Sequence, residues 1–237
     1  MEKSQTTNTS MIDNLFSVGA HFGFAKSRRH PSAKPFIFGV KNKVEIFDLE
    51  KTEASLAKAL DFVKELGKKK AAILFVSGKN EAKAAIEQGA EAINQPYVSG
   101  RWIGGTLTNF SEIKKRVAKM ENLALQKEKG ELAKYTKKER LLIDRDVEKM
   151  RKMFFGIVSM KNMPAALFIV DTRQEDTAVR EAHTMNIPII SLCGSDCDLS
   201  ESTYPIPAND SARASIEFFV NKVVEAYKAG TMTADTN

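Results

Sequence analysis

Residues 71–99 read AAILFVSGKNEAKAAIEQGAEAINQPYVS. An apolar run of strand length, Ala71 to Ser77, is followed by an alanine-rich segment and then by a second short apolar run, Pro96 to Ser99. A strand, a helix and a strand joined by short links indicate a β-α-β unit, whose strands lie parallel beneath the helix. This stretch therefore predicts an α/β fold.

The same alternation extends from this unit in both directions. Phe36 to Val40 and Val44 to Asp48 predict a β-hairpin, and Leu49 to Leu66 predicts a helix from apolar residues at helical spacing. Two prolines in the preceding loop, Pro31 and Pro35, predict an extended backbone there. Beyond Gly156 the alternation resumes with segments at 165–170, 175–185, 187–192, 204–206 and from 210 onward. Together these segments predict one doubly wound domain.

A charged, helix-forming insert interrupts the alternation. Its apolar residues follow a 4-3-4 spacing twice, first at Ile113, Val117, Met120 and Ala124 and then at Ile143, Val147, Met150 and Phe154. Gly130 breaks the pattern, and Thr136 with Glu139 forms a capping box that begins the second helix. Two helices with such narrow apolar seams predict an antiparallel coiled-coil hairpin.

These elements divide the 237 residues into four parts. We expect a disordered tail at 1–10 and a C-terminal tail at 231–237. Between them, residues 11–107 and 156–230 form a single discontinuous α/β domain. Residues 108–155 form the coiled-coil hairpin.

The charges are unevenly distributed along the chain. The net charge of +6 arises from 36 Lys and Arg against 30 Asp and Glu. Residues 26–43 hold six basic residues and no acid, residues 111–155 hold 14 basic against 8 acidic, and residues 171–237 hold 5 basic against 11 acidic. A protein with so uneven a charge distribution can dock its basic face on a polyanion. The alternative is an ordinary solvated surface.

The sequence lacks the residue patterns that most catalytic and metal sites require. Lys79 follows a strand and a glycine, but the spacing of a phosphate-binding loop is absent and Asn80 offers no hydroxyl for magnesium. Cys193 and Cys197 lack the second pair of ligands that a zinc site needs. We therefore expect no cofactor and no metal, although a nucleotide- or phosphate-binding enzyme and a pure protein adaptor stay open as alternatives.

Localisation is also constrained by composition. No apolar run reaches the roughly 18 residues that span a bilayer. Two cysteines are too few for a disulfide framework and fit a reducing compartment. We expect a soluble cytosolic protein.

Five segments of the sequence carry a further signal. They are VGAHFG at 18–23, KPFIFG at 34–39, DLEKT at 48–52, RWIGGTLTN at 101–109 and PAALFIVD at 164–171. In sequence and in order, these segments resemble the ribosomal protein S-two family of the small ribosomal subunit, and the resemblance covers about residues 11–230. The coiled-coil hairpin is similar to the bacterial and organellar form of the family.

The resemblance implies a Rossmann-like or flavodoxin-like parallel sheet covered by helices and no catalysis. It also implies a structural constituent of the small subunit, cytoplasmic and ribosome-bound, that acts in translation. The implied partners are small-subunit rRNA and other small-subunit proteins, including S-one, which captures messenger RNA. No membrane, no small-molecule substrate and no homo-oligomer is expected.

The resemblance and the charges together select candidate RNA-binding residues on the basic loop and on the turn that leads to the insert. They are Lys26, Arg28, Arg29, His30, Lys34, Lys41, Lys43, Arg101, Trp102 and Asn109. Six insert residues are secondary candidates for RNA or protein contact, namely Lys114, Lys115, Arg116, Lys137, Lys138 and Arg140.

Three positions depart from the family's pattern. Phe24 stands where a second histidine is usual. The segment Gly194 to Leu199 lacks the usual first acid and the proline, and Ala208 to Ser211 replaces a Gly-Asn-Asp-Asp pattern. These departures bear on a partner or ion site in the acidic third more than on RNA binding.

Overall fold

The computed structural model describes residues 10–235, so most of the predicted N-terminal tail and the last two residues lie outside the described residues. The helices are α1 Met11–Ser17, α2 Leu49–Lys68, α3 Asn80–Glu91, α4 Phe110–Glu128, α5 Lys137–Phe154, α6 Asp176–Thr184 and α7 Arg213–Asp235. The strands are β1 Phe22–Ala25, β2 Ile37–Lys41, β3 Val44–Phe47, β4 Ile73–Val76, β5 Tyr97–Val98, β6 Ala166–Val170, β7 Ile189–Cys193 and β8 Tyr204–Pro207.

A five-stranded sheet forms the centre of the molecule. Its strands are all parallel and lie in the order β5-β4-β6-β7-β8. In chain order this is 2-1-3-4-5, the arrangement of flavodoxin-like doubly wound folds. The predicted α/β class with a parallel sheet between helices is confirmed.

Helices cover the two faces of this sheet and create two apolar clusters. Side chains from α2, α3 and α7 pack with Phe75, Phe168 and Ile190 on one face. On the other face, α6 and the ends of α4 and α5 pack with Leu74 and Ile169. Alternate residues of each strand point to opposite faces, so β4 and β6 contribute to both clusters.

A smaller antiparallel sheet, ordered β1-β3-β2, precedes the main one. The predicted hairpin of β2 and β3 is confirmed, and its turn places Asn42 at φ 52° and Lys43 at φ 67°. The sequence did not predict β1.

The extended backbone predicted around the two prolines is wrong. Pro31–Phe36 forms a 3-10 helix, whose first position suits the fixed φ of Pro31.

The limits of the predicted tails also differ from the structure. Ser10 caps α1, accepting a hydrogen bond from the N–H of Asp13. The C-terminal tail was expected from residue 231, yet α7 continues to Asp235. This helix lies against α2 so closely that a Cβ at Gly67 or Gly230 would collide with the opposing backbone.

Helices α4 and α5, the two helices of the insert, contact each other. Lys127 near the end of α4 forms an ion pair of 2.7 Å with Asp144 of α5. The capping box of Thr136 and Glu139 is present as predicted. Among the helices of the described chain, none combines the length and apolarity needed to cross a membrane.

Candidate nucleic-acid interface

Two side chains of the basic loop (residues 26–43) are anchored to the loop that follows β7. The Arg28 guanidinium lies 2.9 Å from Asp196 Oδ2 and 4.3 Å from the centre of the Phe24 ring. His30 Nδ1 lies 3.6 Å from Asp198 Oδ1. The acidic C-terminal third therefore neutralises part of the basic loop within the molecule.

Arg29 has a buried partner. Its Nη1 lies 2.9 Å from Oε1 of Glu45, whose side chain is 0% exposed. The other oxygen, Glu45 Oε2, has no hydrogen-bond partner in the described chain. Removing one partner of a buried ion pair typically costs about 3–5 kcal/mol, because a charge is left uncompensated. Arg29 thus stabilises the small sheet, whatever else it contacts.

The remaining cations of the loop are unengaged. Across residues 10–235, no carboxylate lies within ion-pairing distance of these side chains, and all of them are exposed. They are Lys26, Lys34, Lys41 and Lys43. These four lysines are the loop charges that can meet an external phosphate without breaking an internal contact.

The turn at 101–109 is held by one acidic residue of α6. Glu181 Oε1 accepts hydrogen bonds from Trp102 Nε1 at 3.0 Å and from the N–H of Gly105 at 2.8 Å. Its Oε2 accepts from the N–H of Leu107 at 2.9 Å and of Thr108 at 3.1 Å. The carboxylate therefore fixes the path of the backbone just before α4 begins.

This contact changes the role of the turn's tryptophan. The Trp102 side chain is only 8% exposed and packs in the cluster beneath α6. Burial raises the pKa of Glu181, but the hydrogen bonds from Trp102 and the backbone outweigh it and hold the pKa below its ordinary value. Arg101 and Asn109 are exposed, the latter at the N-cap of α4, as are Gly104 and Thr108 of the same turn. No sequence signal singled out Glu181.

The secondary candidates do not form one site. Three lie in the first two turns of α4, next to the sheet, where Lys115 pairs with Glu112 at 2.6 Å and Lys114 donates to the Lys161 carbonyl at 2.8 Å. Three lie in the first turn of α5, at the far end of the insert. All are exposed, in the order Lys114, Lys115, Arg116 and then Lys137, Lys138, Arg140.

An internal ion-pair network fills the crevice between β4 and β6, where doubly wound sheets bind ligands. Lys79 Nζ lies 2.8 Å from Asp171 Oδ2 and 2.9 Å from Asp210 Oδ2. Asp210 is 1% exposed, and Glu175 nearby accepts a hydrogen bond from the N–H of Gly78 at 2.7 Å. The lysine considered for a phosphate-binding loop is thus engaged by carboxylates.

Burial and ion pairing shift the pKa values of residues in this network. Burial lowers the pKa of Lys79, but the two aspartates more than reverse this and raise it above its usual value. Burial raises the pKa of Asp210 despite the nearby ammonium group. Cys197 Sγ lies 3.4 Å from Asp171 Oδ1. This sulfur and one carboxylate oxygen from each of Asp171 and Asp210 all lie within 4.8 Å of one another. The ammonium group already supplies this cluster with a cation.

The chain is similar to known proteins over most of its length. The family model described as Ribosomal protein S2 matches residues 15–230. The small ribosomal subunit protein uS2 of a Nitratiruptor species is 41% identical over 219 residues, covering 92% of this chain and 82% of that protein. The protein of the same name from Chloroflexus aggregans is 37% identical over 223 residues, or 94% of each chain. That of Roseiflexus castenholzii is 42% identical over 212 residues, or 90% of this chain and 81% of the relative.

Proposed function

Because the chain belongs to the ribosomal protein S2 family, which is structural and non-enzymatic, we propose that it binds small-subunit rRNA through phosphate contacts. The observation that carries this proposal is the set of four exposed, unpaired lysines on the basic loop. Phosphate contacts supply sequence-independent affinity, while the shape of the RNA supplies specificity. The proposal also assigns phosphate contacts to Arg101 and Asn109 of the turn, both exposed, so that the loop and the turn together form the proposed RNA-binding surface.

Arg28, Arg29, His30 and Trp102 act mainly by positioning this surface. Their side chains are held by Asp196, Glu45, Asp198 and Glu181, respectively. A residue that is held in this way presents its neighbours to RNA in a fixed geometry. The partners that follow are rRNA and neighbouring small-subunit proteins, and the place of action is the cytoplasmic ribosome.

The insert has a separate role in the proposal. Residues 108–155 are an antiparallel coiled-coil hairpin projecting from the discontinuous domain, and the ion pair between Lys127 and Asp144 supports this arrangement. Its exposed basic residues meet RNA or protein, and the assembled protein helps to recruit S-one. Small subunits assembled with Lys137→Gln/Lys138→Gln/Arg140→Gln should then retain less rRNA contact or less S-one, and unchanged levels of both would remove the insert from the proposal.

The test of RNA binding uses the unpaired lysines. Lys34→Gln/Lys41→Gln/Lys43→Gln should weaken binding to purified small-subunit rRNA, because up to three phosphate contacts are lost. The slope of log affinity against log salt concentration should become shallower by about 2 to 3, given roughly 0.7–0.9 per contact. Filter binding at several salt concentrations measures both quantities.

The control is Lys222→Gln, which removes an α7 lysine paired with Glu225 at 2.8 Å. It should leave affinity and slope unchanged. Arg29 is unsuitable as a first target. Its replacement would leave the buried Glu45 carboxylate without its ion-pair partner and would therefore lower the stability of the small sheet. An unchanged slope in the triple variant would place the RNA contacts elsewhere.

A protein adaptor whose basic charge serves only solvation is the second interpretation. The sequestered cations of the basic loop favour it in part, since three of its basic side chains already face acids. Ribonuclease treatment of assembled particles separates the two, because an adaptor stays with its protein partners after the RNA is digested.

A further inference from the structure

A cleft of about 380 Å³ opens at the root of the insert, between α3, the segment after β5 and the end of α5. Its basic lining consists of Lys83, Arg101, Arg151 and Lys152. Only Arg101 among these was a candidate from the sequence. The other three lie on α3 and near the end of α5, and tertiary packing brings them to the turn that holds Arg101.

The cations of the cleft are largely unengaged. No described carboxylate lies within 4 Å of the charged groups of Lys83, Arg101 or Arg151, and all three side chains are exposed. Lys152 pairs with Glu148 at 3.4 Å, with both side chains more than two thirds exposed. The one acid of the lining, Glu87, accepts a hydrogen bond of 2.6 Å from Ser99. The cleft therefore carries excess positive charge.

An aromatic ring stands at the cleft and is fixed in place. Phe155 is 53% exposed, although its neighbours Phe154 and Ile157 are buried at 2% and 4%. The buried neighbours hold the backbone, and a Cβ at Gly156 would collide with the Tyr97 carbonyl, so this segment lies directly on β5. The guanidinium of Arg151 lies 5.5 Å from the centre of the Phe155 ring.

These features match one ligand chemistry. Exposed aromatic rings beside arginine stack nucleobases, and clustered cations hold the adjoining phosphates. A cleft of this volume admits a small ligand and excludes a double helix. An acidic peptide would use the charges but would gain little from a single exposed ring.

Building on the proposed function, we propose that this cleft binds one unpaired nucleotide of small-subunit rRNA. Phe155 stacks on the base, and Arg101, Arg151 and Lys83 contact its phosphates. The site lies where the insert joins the sheet domain, so the bound nucleotide touches both.

Two sets of variants test the site in the full chain with purified small-subunit rRNA. Arg101→Gln/Arg151→Gln should make the salt slope shallower by about 1.4, at roughly 0.7 per single-strand phosphate. Phe155→Ala should weaken binding by about 5- to 150-fold, the range measured for loss of one stacked base. Phe155→Trp should restore the affinity, and Arg180→Gln on α6, an exposed arginine paired with Asp176, serves as the control for lost charge.

A direct readout uses assembled small subunits. Ultraviolet cross-linking followed by trypsin should give a nucleotide adduct on the peptide at residues 153–161, which lies between Lys152 and Lys161. The adduct should disappear in Phe155→Ala. Wild-type affinity for rRNA in all the cleft variants, or an adduct-free peptide, would overturn the cleft and leave the lysine surface of the basic loop standing. A wild-type chain without rRNA affinity would overturn both proposals.

Discussion

At the scale of single residues, Glu181 joins α6 to the turn that precedes α4. Each of its two carboxylate oxygens accepts two N–H donors, one pair from Trp102 and Gly105 and the other from Leu107 and Thr108. A carboxamide at this position would have to turn its NH₂ group toward one of these pairs. The site therefore requires a carboxylate and not merely a side chain of that shape.

We expect Glu181→Gln to lower the free energy of unfolding by about 3 kcal/mol, because buried donors lose a charged acceptor. Urea unfolding followed by tryptophan fluorescence measures this directly, since Trp102 is the single tryptophan of the chain. Glu217→Gln, at an exposed position of α7, should change stability by less than about 0.5 kcal/mol. Equal effects of the two substitutions would contradict the role given to Glu181.

The same residue predicts a pH dependence. The folded-state pKa of Glu181 lies below its ordinary value of 4.5. Its contribution to stability is therefore fully present above that value and is lost as the pH falls through the lower folded-state pKa. The stability difference between the wild type and Glu181→Gln should shrink between neutral pH and pH values below 4.5, and a constant difference would argue against the assignment.

At the scale of elements, the two parts of the insert are stabilised by different contacts. The start of α4 belongs to the core, because Ile113 and Val117 are buried with Leu74 and Val76 of β4. Farther along, Leu125 is 47% exposed and Leu141 of α5 is 51% exposed. The root of the insert is therefore stabilised by the sheet domain, whereas its outer part is stabilised mainly by its own helices.

This division predicts unequal costs for similar truncations. Ile113→Ala should destabilise the protein by about 2–4 kcal/mol, because it opens a cavity in the cluster beneath the sheet. Leu141→Ala should cost less than about 0.5 kcal/mol. Urea midpoints for the two variants provide the comparison, and a large loss in Leu141→Ala would mean that the outer insert is coupled to the core.

For the whole molecule, the filled crevice separates this sheet from those of nucleotide-binding enzymes. Within this crevice, Lys79 is held by two aspartates and is not free to bind a phosphate. Binding of ATP or GTP in the crevice should therefore contribute less than about 1 °C to the melting temperature, compared with about 5–10 °C for a site filled at 100 times its Kd. Thermal unfolding at matched ionic strength checks this.

The same measurement in Arg101→Gln/Arg151→Gln removes any contribution from the cleft at the insert's root. A shift of several degrees that persists in this variant would place a nucleotide in the crevice. That outcome would revive the enzyme interpretation of the sheet.

How much of the molecule the sequence predicts follows from the range of the interactions involved. The capping box at Thr136 and the hairpin turn depend on neighbours within a few residues, and the β-α-β unit depends on consecutive elements joined by short links, so all were predictable. Glu181 is separated from Leu107 by 74 residues, and Gly78 from Glu175 by 97. Such pairings follow from strand order, which residue patterns do not specify.

The candidate site shows the same limit. Clustering of Lys and Arg located the basic loop, but it did not distinguish the unpaired Lys34 from Arg29, whose partner Glu45 lies on a neighbouring strand. Nor could it bring Arg151 to Arg101, because their proximity depends on the return of α5 to β5.

The Glu181 contact with the turn also bears on the kinetics of assembly. Because the turn is hydrogen-bonded before any partner is present, the direction of the insert is set during folding, and little conformational entropy remains to be lost at this joint on docking. In the proposed docking on rRNA, encounter then proceeds from a joint that is already fixed, without a search among insert directions. Loosening the joint would slow productive association even where every contacting side chain is retained.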